Sequence, residues 1–182
     1  SDRVEFGPVY RSSGQNLLLI AVMPYVFAAA SSAAGVALPR GLALCVGLLA
    51  GLGFALKPYF LVPWLGVEAW LWLRSRKGPF RLENLAIVAV LLVYGLSVLL
   101  FSPGYFAMVE IAMGVYSAYG VFGSPALLFH FSVLMVIGAG VIFLLTSPRS
   151  GDRYLRVALL IAMLGFLLSA LIQGKGWDYH YF

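Results

Sequence analysis

Long apolar runs with very few charges are the feature of this 182-residue chain that most restricts its fold. A helix needs about 20 apolar residues to cross the hydrocarbon core of a bilayer, which is about 30 Å thick. The sequence therefore predicts an all-α, polytopic transmembrane helix bundle that forms a single transmembrane domain over residues 1–182. About six spans are expected, since six stretches reach or approach this length: residues 16–34, 41–56, 59–73, 85–101, 125–146 and 155–172.

Composition excludes several classes of protein. Of the residues, 62% are hydrophobic and 10% are charged, whereas soluble domains average about half apolar and about a quarter charged. This excess of hydrophobic over charged residues argues against a soluble enzyme, a disordered tail and a nucleic-acid-binding module. Cys45 is the one cysteine in the sequence, so it cannot alone form a disulfide, a cysteine-based zinc site or an iron–sulfur cluster.

The distribution of basic residues predicts the orientation of the bundle. Eight of the twelve Lys and Arg residues fall in three loops that six spans place on one side. An excess of basic residues marks cytoplasmic loops, so residues 74–84 and 147–154 are predicted to be cytoplasmic. Residues 1–15 then form an outer loop, residues 104–120 an outer interfacial helix, and both ends of the segment are periplasmic. We expect the segment to be part of a longer membrane protein.

Polar residues cluster on the predicted outer face. Lys57 is the most informative, because it joins two short apolar helices and precedes Pro58, and a proline frees backbone carbonyls and fixes a turn. Two interpretations have similar weight: an interfacial anchor that reaches the membrane surface, or a cation for a lipid phosphate. The other outer clusters contain Asp2, Glu5 and Gln15 before the first span, Tyr59 after the second, and Lys175, Trp177, Tyr179 and His180 after the sixth.

The last of these clusters has its own competing interpretations. Gly174 and Gly176 flank Lys175 and would let the backbone approach a phosphate closely. The aromatic residues that follow are equally typical of a belt at the membrane interface.

Two residues inside apolar runs are expected to serve structure. Glu68 lies in the third span, where an unpaired charge is costly, so it is expected to be off-centre, protonated or paired, and it is not assigned to chemistry. Tyr25 is expected to face the interior of the bundle. The cytoplasmic loops look ordinary and are interpreted only as signals of orientation.

Two runs are fairly specific: Gly-Phe-Ala-Leu-Lys-Pro-Tyr-Phe, which ends at Phe60, and Gln-Gly-Lys-Gly-Trp, which ends at Trp177. Gly14-Gln15, Pro24-Tyr25 and Ser102-Pro103-Gly104-Tyr105-Phe106 are weaker signals. In this order along nearly the whole chain, these runs resemble bacterial polytopic proteins of the GT-C glycosyltransferase superfamily.

The resemblance implies transfer of a sugar from a polyprenyl-phosphate donor at the periplasmic face of the bacterial inner membrane. In that superfamily an acidic residue of the first external loop acts as base or metal partner, which favours Asp2 and Glu5 as catalytic residues and allows a divalent metal as cofactor. Glu110 and Asp178 are further carboxylate candidates. The implied substrate-binding residues are Gln15, Lys57, Tyr59, Lys175, Trp177, Tyr179 and His180.

Two other functions compete with this prediction. The chain can be a non-catalytic transmembrane subunit, whose small-residue faces meet helices of other membrane-protein subunits. It can also be a transporter, which would need broken helices and paired charges near mid-membrane. The expected partners are membrane lipids and other subunits, without nucleic acid.

Overall fold

A computed structural model describes the backbone of residues 9–75, 80–119, 131–146 and 152–173. Side chains are described for residues 21–74, 80–115, 133–146 and 152–172. These parts are helical and contain no strand, as the all-α prediction requires. The helices are α1 (Val9–Ala33), α2 (Arg40–Leu56), α3 (Leu61–Ser75), α4 (Leu82–Phe101), α5 (Tyr105–Tyr119), α6 (Phe131–Thr146) and α7 (Arg153–Gln173), and a 3-10 turn (Pro58–Phe60) precedes α3.

Proline and glycine residues place the breaks between the first three helices. Gly35 adopts a φ of +84° after α1, and the amides of Gly35 and Val36 donate to the carbonyls of Ser32 and Ser31. This pair of bonds is the Schellman motif, which satisfies carbonyls at a helix end. Pro58 occupies the first position of the 3-10 turn, where its missing N–H costs nothing.

The packed part of the bundle consists of α1, α2, α3, α7 and the first half of α4. Its core is built from small and β-branched residues together with Tyr25 and Phe54, both fully buried. Tyr25 lies edge-on to Phe54, with ring centroids 6.4 Å apart. The prediction that Tyr25 faces the interior is confirmed. The remaining core residues include Val22, Val26, Ala29, Ala50, Val67, Ile87, Ala158 and Ala162.

Helices α2 and α4 run parallel and pack through glycines. A Cβ atom at Gly47 would overlap the carbonyl oxygen of Glu83, and one at Gly51 would lie 2.9 Å from Cβ of Val90. Since Gly47 faces the first turn of α4, this helix begins about halfway along α2. Small residues permit such close approach of two helix backbones.

Helices α3 and α7 run antiparallel and also meet at a glycine. A Cβ atom at Gly165 would overlap Pro63, while Gly66 lies against Ile161. The C-terminal end of α3 is therefore next to the N-terminal end of α7. All five arginines with described side chains lie on this side of the bundle, here called the arginine side: Arg40, Arg74, Arg81, Arg153 and Arg156. Lys57 lies on the opposite, lysine side.

The outlying part consists of residues 92–101 of α4 together with α5 and α6. Most of its large apolar side chains are exposed, including Leu100 (71%) and Phe101 (81%). Two helices in the described residues are long and apolar enough to cross a membrane, Leu82–Phe101 and Arg153–Ile172. Only 17% and 22% of their apolar windows are buried, so neither resembles the enclosed core helix of a soluble protein.

Helix boundaries differ from the predicted segments in three places. Helix α1 begins at Val9, inside the stretch predicted as an outer loop. Helices α3 and α4 take up both ends of the predicted loop 74–84, and α7 begins at Arg153 within the predicted loop 147–154. Polar first and last turns are hard to distinguish from loops in a sequence, because hydropathy falls before a helix ends. Four further apolar helices contain 10–17 residues within the described ranges.

Candidate functional site

The lysine side contains the two predicted site residues whose side chains are described, Lys57 and Tyr59. Helix α2 ends at Leu56, and Lys57 has the non-helical backbone angles φ −141° and ψ 85°. Its Nζ atom lies 5.4 Å from the ring centroid of Phe60, a cation–π distance. Lys57 is half-buried and Tyr59 is 43% exposed. The helix break thus holds a cation at the edge of the packed part.

Helix α7 fixes the position of this break. The Ser169 hydroxyl, which is buried, donates to the carbonyl oxygen of Tyr59 at 2.7 Å and lies 2.8 Å from that of Gly165. Phe166 packs edge-to-face on Phe60, with centroids 5.0 Å apart and planes at 90°. The C-terminal end of α7, at Gln173, therefore lies on the lysine side.

The other predicted site residues have no described side chain. Gln15 belongs to the first half of α1, which lies toward the lysine side because α1 and α2 are joined by a short turn on the arginine side. Outside the described residues lie Asp2, Glu5, Lys175, Trp177, Tyr179 and His180. Glu110, a further carboxylate candidate, is exposed on α5.

A partly buried polar network that sequence reasoning missed connects α1, α3 and α4. Arg81 precedes α4, and its guanidinium donates to Glu68 of α3 and, at 2.9 Å, to Glu83 of α4. The side chains of Arg81, Glu68 and Glu83 are 15%, 14% and 7% exposed. The hydroxyl of the fully buried Tyr25 also donates to Glu68. Of the three states expected for Glu68, the structure has the paired one.

A second hydrogen bond extends this network toward the helix break. The indole N–H of Trp64 donates to Oδ1 of Asn84 at 2.9 Å. Trp64 also packs on Phe54, with ring centroids 6.0 Å apart. The start of α4 is therefore attached through Arg81 and Asn84 to α3, the helix that follows Lys57.

The interpretation of the cytoplasmic loops as ordinary is corrected by this network. Arg81 was predicted only to set the orientation of the bundle in the membrane, yet its guanidinium forms an ion pair with the Glu68 carboxylate inside the bundle. The signal was present in Glu68, because a carboxylate within an apolar run needs a cation nearby. Four basic residues lie in that loop. To predict that Arg81 is the one that pairs with Glu68, the packing of α2 on α4 must be known, and the sequence alone does not give it.

A more exposed cluster lies at the tip of the arginine side. Tyr154 accepts hydrogen bonds from Arg74 at 3.0 Å and Arg153 at 2.9 Å. The two guanidinium carbons lie 5.5 Å and 4.9 Å from the tyrosine ring centroid. The cluster joins the end of α3 to the start of α7.

The described residues contain no group of three His, Cys, Asp or Glu side chains that could hold a metal ion. No chemical step is assigned to a metal. Comparison of the chain with family models, curated proteins and solved structures finds no significant match to any of them.

Proposed function

We propose that the chain is a membrane-embedded glycosyltransferase domain of the GT-C type, which binds a polyprenyl-phosphate-linked sugar on its lysine side. The observation that carries the proposal is the position of Lys57. It lies at a helix break, on the side of the bundle opposite the five described arginines. The proposal also rests on the resemblance of the runs around Lys57 and Lys175 to that superfamily.

The membrane part of this proposal has six spans in the bacterial inner membrane, formed by α1, α2, α3, α4, α6 and α7, with α5 at the outer interface. Exposed apolar side chains on α4, α6 and α7 support it, since large apolar patches are rare on soluble monomers. The arginine side is cytoplasmic because basic residues favour that side. The lysine side and both ends of the segment are periplasmic.

In this orientation the donor phosphate meets the lysine side at the membrane surface, while its polyprenyl chain stays in the bilayer. Lys57 supplies a compact positive charge for the phosphate, and Lys175 supplies a second. The proposed partners of the donor also include Gln15, Tyr59, Trp177, Tyr179 and His180. A carboxylate, Asp2 or Glu5, takes the proton from the acceptor hydroxyl as general base. The acceptor oxygen bonds to the anomeric carbon of the sugar, the bond from that carbon to the phosphate oxygen breaks, and polyprenyl phosphate leaves.

Substitution of Lys57 tests the proposal. The readout is retention of undecaprenyl phosphate by the purified full chain in native mass spectrometry. Lys57→Ala is expected to weaken binding by about tenfold or more, because a charge-assisted contact is lost. Lys57→Arg should retain part of the affinity, since it keeps the charge.

Arg40→Ala is the matched control, because Arg40 is an exposed cation on the arginine side. It should bind undecaprenyl phosphate like the unchanged chain. Equal retention by Lys57→Ala and the unchanged chain would contradict the proposal. Equal losses in Lys57→Ala and Arg40→Ala would also contradict it, because they would indicate general attraction of anions rather than a site.

A non-catalytic transmembrane subunit is the second candidate function. The observation that favours it is the outlying part, where Leu92, Val93 and Leu96 present an apolar face that the described residues do not cover. A subunit would retain a stoichiometric partner protein in the same spectra, and Lys57→Ala would leave that complex intact.

A further inference from the structure

The 3-10 turn between α2 and α3 brings the side chains of Lys57 and Phe60 together. The amide of Phe60 donates to the carbonyl oxygen of Lys57 at 2.9 Å, which closes the turn. Side chains three residues apart lie one above the other in such a turn. The Lys57 Nζ atom accordingly lies over the ring of Phe60, 5.4 Å from its centroid.

Helix α7 holds the Phe60 ring in this position. Phe166 packs edge-to-face on the ring, with planes at 90°, and both rings are partly buried against the core. The Ser169 hydroxyl donates to the carbonyl oxygen of Tyr59, the residue before Phe60. Phe166 and Ser169 are three residues apart, so they lie on one face of α7. This face of α7 therefore fixes both the ring and the backbone next to it.

An aromatic ring can order a lysine without cancelling its charge. The stem of a lysine is long and flexible, so fixing it for a ligand costs conformational entropy. The face of a ring attracts an ammonium group through its quadrupole, and unlike a carboxylate it carries no net charge. Contact with Phe60 therefore restrains the stem of Lys57 before a ligand binds, and it adds no negative charge that would repel an anion.

We propose that Phe60 is a positioning residue, which holds the Lys57 ammonium in the place where it binds the phosphate of the lipid-linked donor. The inference rests on the proposed function, because it needs Lys57 to bind that phosphate. It also assigns a role to a ring that the sequence-based prediction left without one. Tyr59, the aromatic residue predicted to bind the donor, is 43% exposed, whereas Phe60 is partly buried beneath the ammonium.

The position of the ammonium is tested first, without lipid, by nuclear magnetic resonance of the full chain. The sequence has three lysines, Lys57, Lys77 and Lys175, so isotopic labelling of lysine gives a simple spectrum in which Lys57→Arg identifies the Lys57 signal. The ring current shifts protons above an aromatic face upfield. The Lys57 Cε protons are expected upfield of those of free lysine. This shift should persist in Phe60→Tyr and disappear in Phe60→Leu.

Retention of undecaprenyl phosphate in native mass spectrometry then tests the role of the ring. Phe60→Leu is expected to weaken binding by about two- to fivefold, the size of a cation–π contact at an exposed site. Phe60→Tyr should bind like the unchanged chain, because it keeps the ring. In a chain that already carries Lys57→Ala, Phe60→Leu should cause no further loss, since the ring acts through the lysine.

Phe143→Leu is the matched control. Phe143 of α6 is also partly buried, but it lies beside Arg153 and Arg156 on the arginine side. The control should retain undecaprenyl phosphate like the unchanged chain. An equal loss in Phe143→Leu and Phe60→Leu would overturn the proposal, because it would show a general effect of removing an aromatic ring.

Other outcomes separate this inference from the proposed function. If Lys57→Ala binds undecaprenyl phosphate like the unchanged chain, both are refuted. If Lys57→Ala weakens binding but Phe60→Leu leaves it unchanged or tighter, only the role of Phe60 is refuted. Equal losses from Phe60→Leu with and without Lys57 would also refute that role. A Lys57 signal at the position of free lysine in the unchanged chain would overturn the proposal even if Phe60→Leu fails to fold.

Discussion

The two halves of α4 share an apolar sequence but have different surroundings. In the first half, Ala86 and Ile87 are buried against the packed part, whereas residues 92–101 expose most of their side chains. The difference arises in the neighbouring helix, because Gly47 and Gly51 of α2 let the first half of α4 approach closely. Hydropathy shows that the whole helix avoids water, and only small residues on a neighbour show which half packs on protein. Four pairs of substitutions, each with one residue in the packed part and one in the outlying part, test this distinction.

The largest difference in the free energy of unfolding is expected between alanine substitutions of two isoleucines. Ile87 is fully buried and Ile111 of α5 is 63% exposed. Ile87→Ala should lower the free energy of unfolding by about 2–4 kcal/mol, because it leaves a cavity. Ile111→Ala should change it little. Unfolding by titration with a denaturing detergent measures both, and equal effects would mean that Ile111 is packed to the same degree as Ile87.

Substitutions of two glutamates should give a slightly smaller difference in stability. Glu68→Ala removes the acceptor of Tyr25 and Arg81 and should destabilise the chain by about 1.5–3 kcal/mol, as expected for hydrogen bonds to a charged group. Glu110 is exposed on α5, and Glu110→Ala should be close to neutral. The loss of thermal stability in mild detergent is the measurement. If the Glu68→Ala chain had the same melting temperature as the unchanged chain, the network would contribute no stability.

Alanine substitutions of two helical glycines should change the stability of the chain in opposite directions. Gly47→Ala places a methyl group against the backbone of Glu83 and should cost about 1–2 kcal/mol by overpacking. A Cβ atom at Gly95 would meet no atom within 4 Å among the described residues, so Gly95→Ala should stabilise the helix by up to about 1 kcal/mol. Melting temperatures that fall for Gly47→Ala and rise for Gly95→Ala would agree with the distinction, and a fall for both would contradict it.

The smallest difference in stability is expected between alanine substitutions of two serines. Ser169→Ala removes the side-chain bond from α7 to the carbonyl of Tyr59 and should cost about 1 kcal/mol. Among the described residues, the Ser97 hydroxyl donates within its own helix, to the carbonyl of Tyr94, so Ser97→Ala should cost less. Hydrogen exchange of the Tyr59 and Phe60 amides is the most direct readout. Faster exchange in Ser169→Ala alone is the expected result.

Much of the fold could be predicted from the sequence, because apolar runs and proline or glycine breaks act locally. The break at Lys57 and the buried position of Tyr25 are examples. The pairing of Glu68 with Arg81 could not be predicted, since it depends on which helices touch. Nor does hydropathy distinguish a surface that meets lipid from one that meets protein, so the six-span arrangement and the site around Lys57 remain proposals that the experiments above address.

The stagger of α2 and α4 has a consequence for Lys57. The register set by Gly47 and Gly51 places Lys57 level with about residue 95 of α4. Helix α4 continues for about six more residues, or about 9 Å at 1.5 Å per residue. In the proposed orientation the backbone of Lys57 lies that far below the level at which α4 ends. A lipid-linked phosphate would therefore reach its side chain sideways, from within the membrane.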